Sequence, residues 1–586
     1  AHADKFPGLT TPDESYHGVT YTERFGLEGA YITKATAQLM RDFGAIPAPM
    51  NAYLLNVGLE TLPLRMARHC ENALAVARFL KGHPKVSWVR YPGLEGDPYS
   101  ERARKYLPNG TCGVVSFGVK GGREAASKFM AGLELASIAT HVADAKTCVL
   151  HPASTTHRQM SDAELAAAID DLEARVAEVK ARELKLDMAR GKPSPEQVAI
   201  SRPMLDLLSA DSDLTDGGVD CSNYGCFEGI PSARALAGEF LGVDPSQTLV
   251  LGSSSLLIEH DSVAMCWLKG TCGHAPWSEF SAAHDGARVK FLCPAPGYDR
   301  HFGITEDLGI ENVPVRMTEN GPDMDEVERL VAADEGIKGI WCVPKYSNPT
   351  GDTYSDETVR RLTSMKTAAP DFRIFWDNAY CVHDLYDEGD ELLNVFDAAR
   401  EAGNEDRVIA FASTSKITFP GAGVGFVAAS PVVIKEIAHH LQAGLISADK
   451  LNQLRHVRFL PDLDAVRAHM RRHAEFMRPR FECVDAKLHE GLDGTGCATW
   501  THPRGGYFVS FDGPEGSAKR VGALCREMGV TLTPAGATWP YGEDPHDTNI
   551  RIAPSYPSVE DLSSALEVLV LAVKLVSAQL ALEERA

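Results

Sequence analysis

RVIAFASTSKITFPGAGVGF, residues 407–426, decides the fold. Its apolar core, Val408–Ala412, stops abruptly at three small hydroxylated residues, Ser413, Thr414 and Ser415. Lys416 follows, and then a Pro-Gly-Ala-Gly turn. A short apolar run bounded by turn residues predicts a buried β-strand. A surface lysine needs no such neighbourhood, so this one is expected to be positioned for chemistry.

The same pattern recurs upstream. FLCPAP (291–296), IKGIWCVP (337–344) and RIFWDNAY (373–380) are short apolar runs that each end at turn or polar residues. Between them lie helical patterns such as DMDEVERLVAAD (323–334) and SDETVRRLTSMKTAA (355–369). Strands alternating with helices predict an α/β fold with a largely parallel sheet. In such sheets ligands bind beyond the carboxyl ends of the strands, so the polar residues ending these runs are the first candidates.

Composition narrows the function. The chain has 586 residues, 44% hydrophobic and 24% charged, with 58 Lys plus Arg against 80 Asp plus Glu and a formal net charge of −22. That balance argues against a nucleic-acid or anionic-membrane surface, which needs a basic patch. No apolar run reaches the ~18 residues of a membrane span, and no signal peptide is recognised. The sequence opens AHADKF, without Met, so its front is expected to be processed or missing. Thirteen scattered cysteines without a C-x-x-C pair predict free thiols in a reducing cytoplasm, not a disulfide scaffold. Cys266, Cys272 and His274 in CWLKGTCGH match no standard zinc spacing, so no metal is expected.

Four strand ends carry candidate chemistry. VLGSSSLLIEHDS (250–262) puts Ser253, Ser254 and Ser255 at the start of a helix, where they suit a phosphate or simply cap the helix. YSNPTG places Asn348 in a turn. FWDNAY places Asp377 straight after a strand, either as a cap or as a partner for a cation, with Tyr380 three residues on. Lys416 closes the series. Arg551 lies between Ile550 and Ile552 in a strand-like run, which a ligand explains better than a surface position.

Read in order with LDMARGKPSPEQ (186–197), NYGCFEGIPSAR (223–234), CPAPGYDRHFGIT (293–305), NGPDMD (320–325), DKLNQLRHVRF (449–459), GGYFVSFD (505–512) and NIRIAPSYP (549–557), these blocks carry a resemblance. Residues from about 165 to 586 resemble fold-type I pyridoxal-phosphate aminotransferases, most nearly an unusual bacterial subgroup of aspartate aminotransferases. The resemblance implies a large domain, roughly residues 216–440, with a mostly parallel sheet flanked by helices. It also implies a small α/β domain from roughly 186–215 plus 441–586. It implies pyridoxal 5'-phosphate as cofactor, amino acids and 2-oxo acids as substrates, and a homodimer. Lys416 would attach the cofactor and then move a proton. Asp377 would pair with the ring nitrogen, and Asn348 and Tyr380 with the ring's phenolic oxygen. Ser253, Ser254, Ser255, Ser413 and Ser415 would hold the phosphate, Tyr298 would lie against the ring face, and Tyr224 would reach the neighbouring subunit's phosphate. Arg551 would grip the substrate α-carboxylate with a planar fork, beside Asn348 and Gly191. The favoured pair is L-aspartate and 2-oxoglutarate. The cation for the distal carboxylate is sought among Lys192, Arg190 and Arg300, with Lys450 and Arg455 also in view. The chain departs from common relatives in two places: ITFPGAGVGF after Lys416 has no phosphate-binding arginine, and Leu257 stands where Asn is usual.

Residues 1–160 resemble a different enzyme, the C-terminal part of O-acetylhomoserine sulfhydrylase in the transsulfuration family. SYHG, FGLEGAYITKATAQLMRDFGA, NVGLETLPLRMARHCENALAVA, HPKVSWVRYPGL, KYLPNGTCGVVSFGVKGG and HVADAKTCVLHPASTTHRQM carry it. The parts that would hold that family's catalytic lysine and carboxylate arginine are absent, so no catalytic residue transfers. A long helix through ATAQLMRDFGA and NAYLLNVGLETLPLRMARHCENALAVARFL is expected there, with apolar surface that needs a partner. Residues 161–185 read as an amphipathic helix, either a linker or the first helix of the second part. Two other readings stand beside transamination: a silent or regulatory fusion, and a sulfhydrylase or β-lyase activity from the front part.

Overall fold

A computed structural model describes residues 6–44, 46–133, 135–138, 147–151 and 162–584. The chain divides into two compact units, Ala1–Thr156 and His157–Ala586. The boundary expected near residue 160, in LHPASTTHRQM, lies mostly outside the described residues.

The first unit is helical with a small sheet, Val86–Arg90 antiparallel to Ser116–Val119. The expected long helix is broken into Lys34–Met40, Arg41–Phe43, Pro49–Glu60 and Leu62–Gly82, and Tyr21–Thr33 precedes it. Gly44, at φ 64°, ends one segment in the left-handed region, and prolines open the next two. Among the described residues its buried cluster comprises Ala73, Ala77, Tyr91 and Leu94. Leu27 and Leu64 are 84% and 76% exposed, so the apolar surface inferred from the sequence is present.

The second unit is built on one eight-stranded sheet. Its strands are β1 (Thr248–Leu251), β2 (Lys290–Ala295), β3 (Glu311–Thr318), β4 (Gly321–Pro322), β5 (Ile337–Cys342), β6 (Arg373–Asp377), β7 (Val408–Ser413) and β8 (Gly425–Ala429). They lie in the order β4-β3-β2-β5-β6-β7-β8-β1. The five strands β3, β2, β5, β6 and β7 run parallel, and β8 is antiparallel to both its neighbours. Helices cover both faces. One buried face packs Leu292, Ile340, Ile374 and Ala410, and the other Phe291, Trp341, Phe375 and Phe411. Burial on both faces is why these strands read as continuous apolar runs.

A second core gathers around a small sheet of β9 (Thr499–Trp500), β10 (Val509–Asp512) and β11 (Asn549–Ile552). The helices that matter to the argument are α1 (Asp162–Lys180), α2 (Ser255–Lys269), α3 (Asp299–Asp307), α4 (Leu463–Leu492) and α5 (Val559–Glu583). Leu165, Ile169 and Val176 of α1 pack into this second core with Leu562, Leu569 and Val576 of α5. The helix expected as linker or first helix is thus part of the second unit's packing. Residues 454–470 bury Leu454, Val457, Val466 and Met470 against the large sheet instead.

One expectation is corrected here. α5 is long and apolar enough, by length and composition, to cross a membrane. An uninterrupted-run criterion missed it because Lys574, Ser577 and Gln579 punctuate the helix. Its apolar side chains are the ones buried in the second core.

Candidate active site

Strand register brings the candidate residues to one edge of the sheet. Asp377, the last residue of β6, pairs with Phe411 of β7, and Ser413 at the end of β7 pairs with Gly425. Gly425 pairs in turn with Leu251, the end of β1, so the loop opening α2 lies at the same edge. Lys416 sits on the loop after β7, with its Nζ 4.6 Å from the centroid of the Tyr380 ring.

A buried polar network fixes that loop. The Lys416 carbonyl accepts from Tyr507 Oη at 3.4 Å, and Gln197 Nε2 donates to the same hydroxyl at 2.7 Å. His469 Nε2 contacts the Ile417 carbonyl at 2.9 Å, and Ser201 Oγ donates to it at 3.3 Å. Burial lowers the pKa of His473, which contacts Gln197, to about 3, so it serves the network as a neutral ring. His383 is held well below its usual range by burial and by the Lys416 charge.

The serines meet as a cradle. Ser413 Oγ donates to Ser415 Oγ at 3.1 Å, and Ser415 Oγ donates to the Ser253 carbonyl at 3.2 Å. Ser254 is the N-cap of α2 and makes no side-chain cap bond. The backbone N–H groups of this helix start suit an anion. The glycines after Lys416 have a packing reason. A Cβ on Gly423 would stand 3.0 Å from the Ser253 carbonyl, and one on Gly425 2.9 Å from the Ser254 carbonyl. The stretch without arginine therefore lets two backbones approach each other.

Asp377 is buried, and among the described residues its Oδ1 has no hydrogen-bond partner. An orphaned buried carboxylate oxygen is costly unless a ligand supplies a donor. Its Oδ2 lies 3.3 Å from His301 Nε2 on α3. Tyr298, the N-cap of the same helix, meets the His301 ring edge-on at 4.9 Å. Burial raises the Tyr298 and Tyr380 phenols, so both stay protonated.

Arg551 projects from β11, and its Nη1 donates to Asp299 Oδ1 at 3.1 Å and to Asn348 Oδ1 at 3.3 Å. Its Nε has no partner, and its guanidinium lies 4.8 Å from the Phe508 ring. Gly191 is required by the same ring: a Cβ there would stand 2.1 Å from Phe508 Cζ. Gly191→Ala is therefore expected to destabilise the protein by about 1–3 kcal/mol through overpacking. Thermal unfolding checks this, and an unchanged melting temperature would mean that Phe508 swings aside freely.

Other candidates are placed elsewhere. Lys192 Nζ lies over the Tyr556 ring at 4.3 Å, and its carbonyl accepts from Ser555 at 3.0 Å, just beyond the Arg551 strand. Arg190 pairs with Asp187 at 3.1 Å with its side chain 64% exposed, and Arg300 is exposed on α3. Tyr224 is exposed on its loop. Lys450 corrects an expectation: its buried ammonium donates to the carbonyls of Asn223 and Gly225, so it clamps the Tyr224 loop and is not a free cation. Arg455 donates to Asn452 Oδ1 at 2.9 Å. Cys266 and Cys272 are not gathered with His274 into a metal-binding group. Burial pushes the Cys266 thiol up to about 12, and Cys272 N donates to Glu436.

Sequence reasoning missed two residues of the site, His301 and Glu259. His301 Nε2 lies 3.2 Å from Glu259 Oε2, and all three members of the Glu259–His301–Asp377 group are buried. A charged residue inside SSSLLIEHDS, on the face shared with Leu256 and Val263, was the available signal.

Comparisons with known proteins identify the family. The model of the aspartate amino-transferase family matches residues 160–585. An aspartate aminotransferase of Corynebacterium glutamicum is 43% identical over 411 residues, 70% of this chain and 94% of its own length. The crystal structure of an aspartate transaminase from the same species superposes with a TM-score of 0.69 at 42% identity, covering 72% of this chain and 98% of that one. The chain therefore belongs to the aspartate amino-transferase family of pyridoxal-phosphate enzymes, and it is an aminotransferase. A second family model, Cys/Met metabolism PLP-dependent enzyme, matches residues 26–177. The O-acetyl-L-homoserine sulfhydrylase of Leptospira meyeri is 48% identical over 168 residues, and the chain spans only 38% of its length.

The residues present fit the cofactor. The orphaned Asp377 Oδ1 suits a protonated ring nitrogen, the serine cradle at the α2 start suits a phosphate, and Lys416 follows β7 at the same sheet edge, with its Nζ over the Tyr380 ring.

Proposed function

We propose that the protein transfers the amino group of L-aspartate to 2-oxoglutarate, giving oxaloacetate and L-glutamate. The observation that carries this reading is Arg551, whose guanidinium donates to Asn348 and whose charge acts on Tyr380, the ring under Lys416 Nζ. The name of the Corynebacterium glutamicum relative supports aspartate as the donor. Pyridoxal phosphate, when bound, supplies an electron-withdrawing ring that stabilises negative charge at the amino acid's Cα. In our reading Lys416 Nζ takes the proton from Cα and returns it to the carbon that receives it. With the cofactor bound, Asp377 would hold a proton on the ring nitrogen, Tyr380 and Asn348 would donate to the phenolic oxygen, and Tyr298 would lie against the ring. Ser253, Ser254, Ser255, Ser413 and Ser415 orient the phosphate.

Arg551 binds the α-carboxylate, for which Asp299 stands in here at 3.1 Å. A substrate carboxylate would displace Asp299 from Nη1 and could bridge two adjacent N–H groups of the guanidinium. Lys192, near the Tyr556 ring, is the first choice for the distal carboxylate, since Arg190 already has Asp187 and Arg300 is exposed. The clamped, exposed loop of Tyr224 supports a homodimer in which that tyrosine reaches the partner's phosphate. The thirteen free cysteines support a cytoplasmic setting.

A kinetic panel tests the assignment. Removing a hydrogen-bonded charge partner in a closed site costs roughly 2–5 kcal/mol. Arg551→Ala is thus expected to lower kcat/KM at least about tenfold for aspartate, glutamate and alanine alike. Arg551→Lys should also be poor, because an ammonium cannot reproduce the fork. Lys192→Ala should penalise aspartate and glutamate while sparing alanine. If Arg551→Ala harmed only the dicarboxylates, the two carboxylate sites would be exchanged and this reading of NIRIAP would be wrong.

A further inference from the structure

Resting on that reading, we infer that Glu259 is a positioning residue for the cofactor ring: it is the counter-ion of His301, and so leaves the Asp377 carboxylate free to hold the ring nitrogen. Glu259 is fully buried on α2, among Ile258, Val263 and Cys266. Burying an acid in such a place costs several kcal/mol unless it is paired. Its partner is His301, whose Nε2 lies 3.2 Å from Glu259 Oε2 and 3.3 Å from Asp377 Oδ2. The imidazole is held in place by stacking on Trp341 at 4.4 Å and 10°. Two carboxylates therefore face one imidazole nitrogen at ion-pair distance, and among the described residues neither Glu259 oxygen nor His301 Nε2 completes a hydrogen bond, so the attraction is one of charge.

Charge counting gives the role. An imidazolium facing Asp377 alone would neutralise the charge that the ring nitrogen needs. With Glu259 present, two anions face two cations, His301 and the protonated ring nitrogen, and the sealed group is neutral. Burial would by itself lower the His301 pKa, but Glu259 and Asp377 raise it to about 9. Burial and the Asp377 charge push the Glu259 pKa up, while His301 and Ser255 favour its charged form. The ionisable groups around His301 are Glu259 from α2, Asp377 from β6 and Tyr298 from its own helix. Trp341 from β5 is neutral.

The test compares Glu259→Gln, His301→Asn, the double variant and Asp377→Asn. Cofactor affinity is measured by fluorescence titration of the apoenzyme with pyridoxal phosphate, and kcat and KM with aspartate. Glu259→Gln is expected to weaken cofactor binding at least fivefold and to lower kcat about tenfold, with KM changed less than about twofold. In the His301→Asn background the same substitution should add less than about twofold, because Glu259 acts through His301. A third readout needs no cofactor. A raised histidine pKa gives stability that is complete below the unfolded value of 6.5 and is lost as pH rises through about 9. The apoenzyme should therefore lose stability over that window, and Glu259→Gln should flatten the decline. Additive losses in the double variant would overturn the proposal, as would a Glu259→Gln protein with wild-type affinity and kcat. Should Glu259→Gln fail to fold, His301→Asn carries the test: with the competing imidazolium gone Asp377 needs no counter-ion to free it, so affinity and kcat should stay within about twofold of wild type, and a fivefold loss of affinity there would overturn the proposal. If Asp377→Asn is impaired while Glu259→Gln is normal, only this inference fails. If Asp377→Asn is also normal, the assignment of Asp377 to the ring nitrogen fails with it.

Discussion

Replacing Lys416 with alanine is expected to abolish transamination and to remove the visible absorbance of the lysine-bound cofactor. The amine has two tasks, holding the cofactor and moving the proton at Cα, and alanine performs neither. Proton transfer by a positioned base is alone worth roughly 10²–10⁴-fold in rate, and loss of the covalent link adds to that. The fold should survive, because the loop is held through its carbonyls by Tyr507, His469 and Ser201 and not by the Lys416 side chain. Circular dichroism should therefore be unchanged. Turnover near the wild-type rate would mean that another lysine is the attachment point.

The strands of the large sheet were legible because each is buried on both faces and stops at a polar residue. FLCPAP, IKGIWCVP, RIFWDNAY and RVIAFAST became Lys290–Ala295, Ile337–Cys342, Arg373–Asp377 and Val408–Ser413. The polar stops are the candidate residues, so fold and site were read from the same letters. What sequence could not show is which side chains meet across elements. Glu259 and His301 lie one turn beyond residues that were singled out, Ser255 and Tyr298, but nothing in their local pattern says that they face each other. Lys450 looked like a free cation because burial against the Asn223 and Gly225 carbonyls is a tertiary fact. In the first unit, helical periodicity ran on across Gly44 and the prolines that follow, and backbone geometry broke what the apolar pattern joined. α5 was misjudged for the opposite reason, since a few polar residues do not stop a helix from being apolar overall.

Asp377→Asn is the sharper test of the chemistry, because asparagine keeps the shape and removes only the charge. Asp377 ends β6, is buried, and keeps Oδ1 without a partner, while Oδ2 faces His301 at 3.3 Å. A neutral amide there cannot hold a proton on the ring nitrogen, and an unprotonated ring withdraws charge from Cα poorly. The loss falls on the transition state far more than on binding, since the serine cradle and Lys416 still retain the cofactor. A deficit on the order of 4 kcal/mol corresponds to about 10³-fold in kcat. The expected result is therefore a protein that still carries the cofactor, by absorbance and by apoenzyme titration, and turns over aspartate about 10³-fold more slowly. His301 should change as well, because it loses one of the two anions that raise its pKa, although Glu259 at 3.2 Å remains. The pH dependence of apoenzyme stability between about 6.5 and 9 should accordingly be weaker than in the wild type but not abolished. Unchanged turnover with the cofactor bound would mean that this carboxylate serves only His301, and that the ring nitrogen is held by some other group.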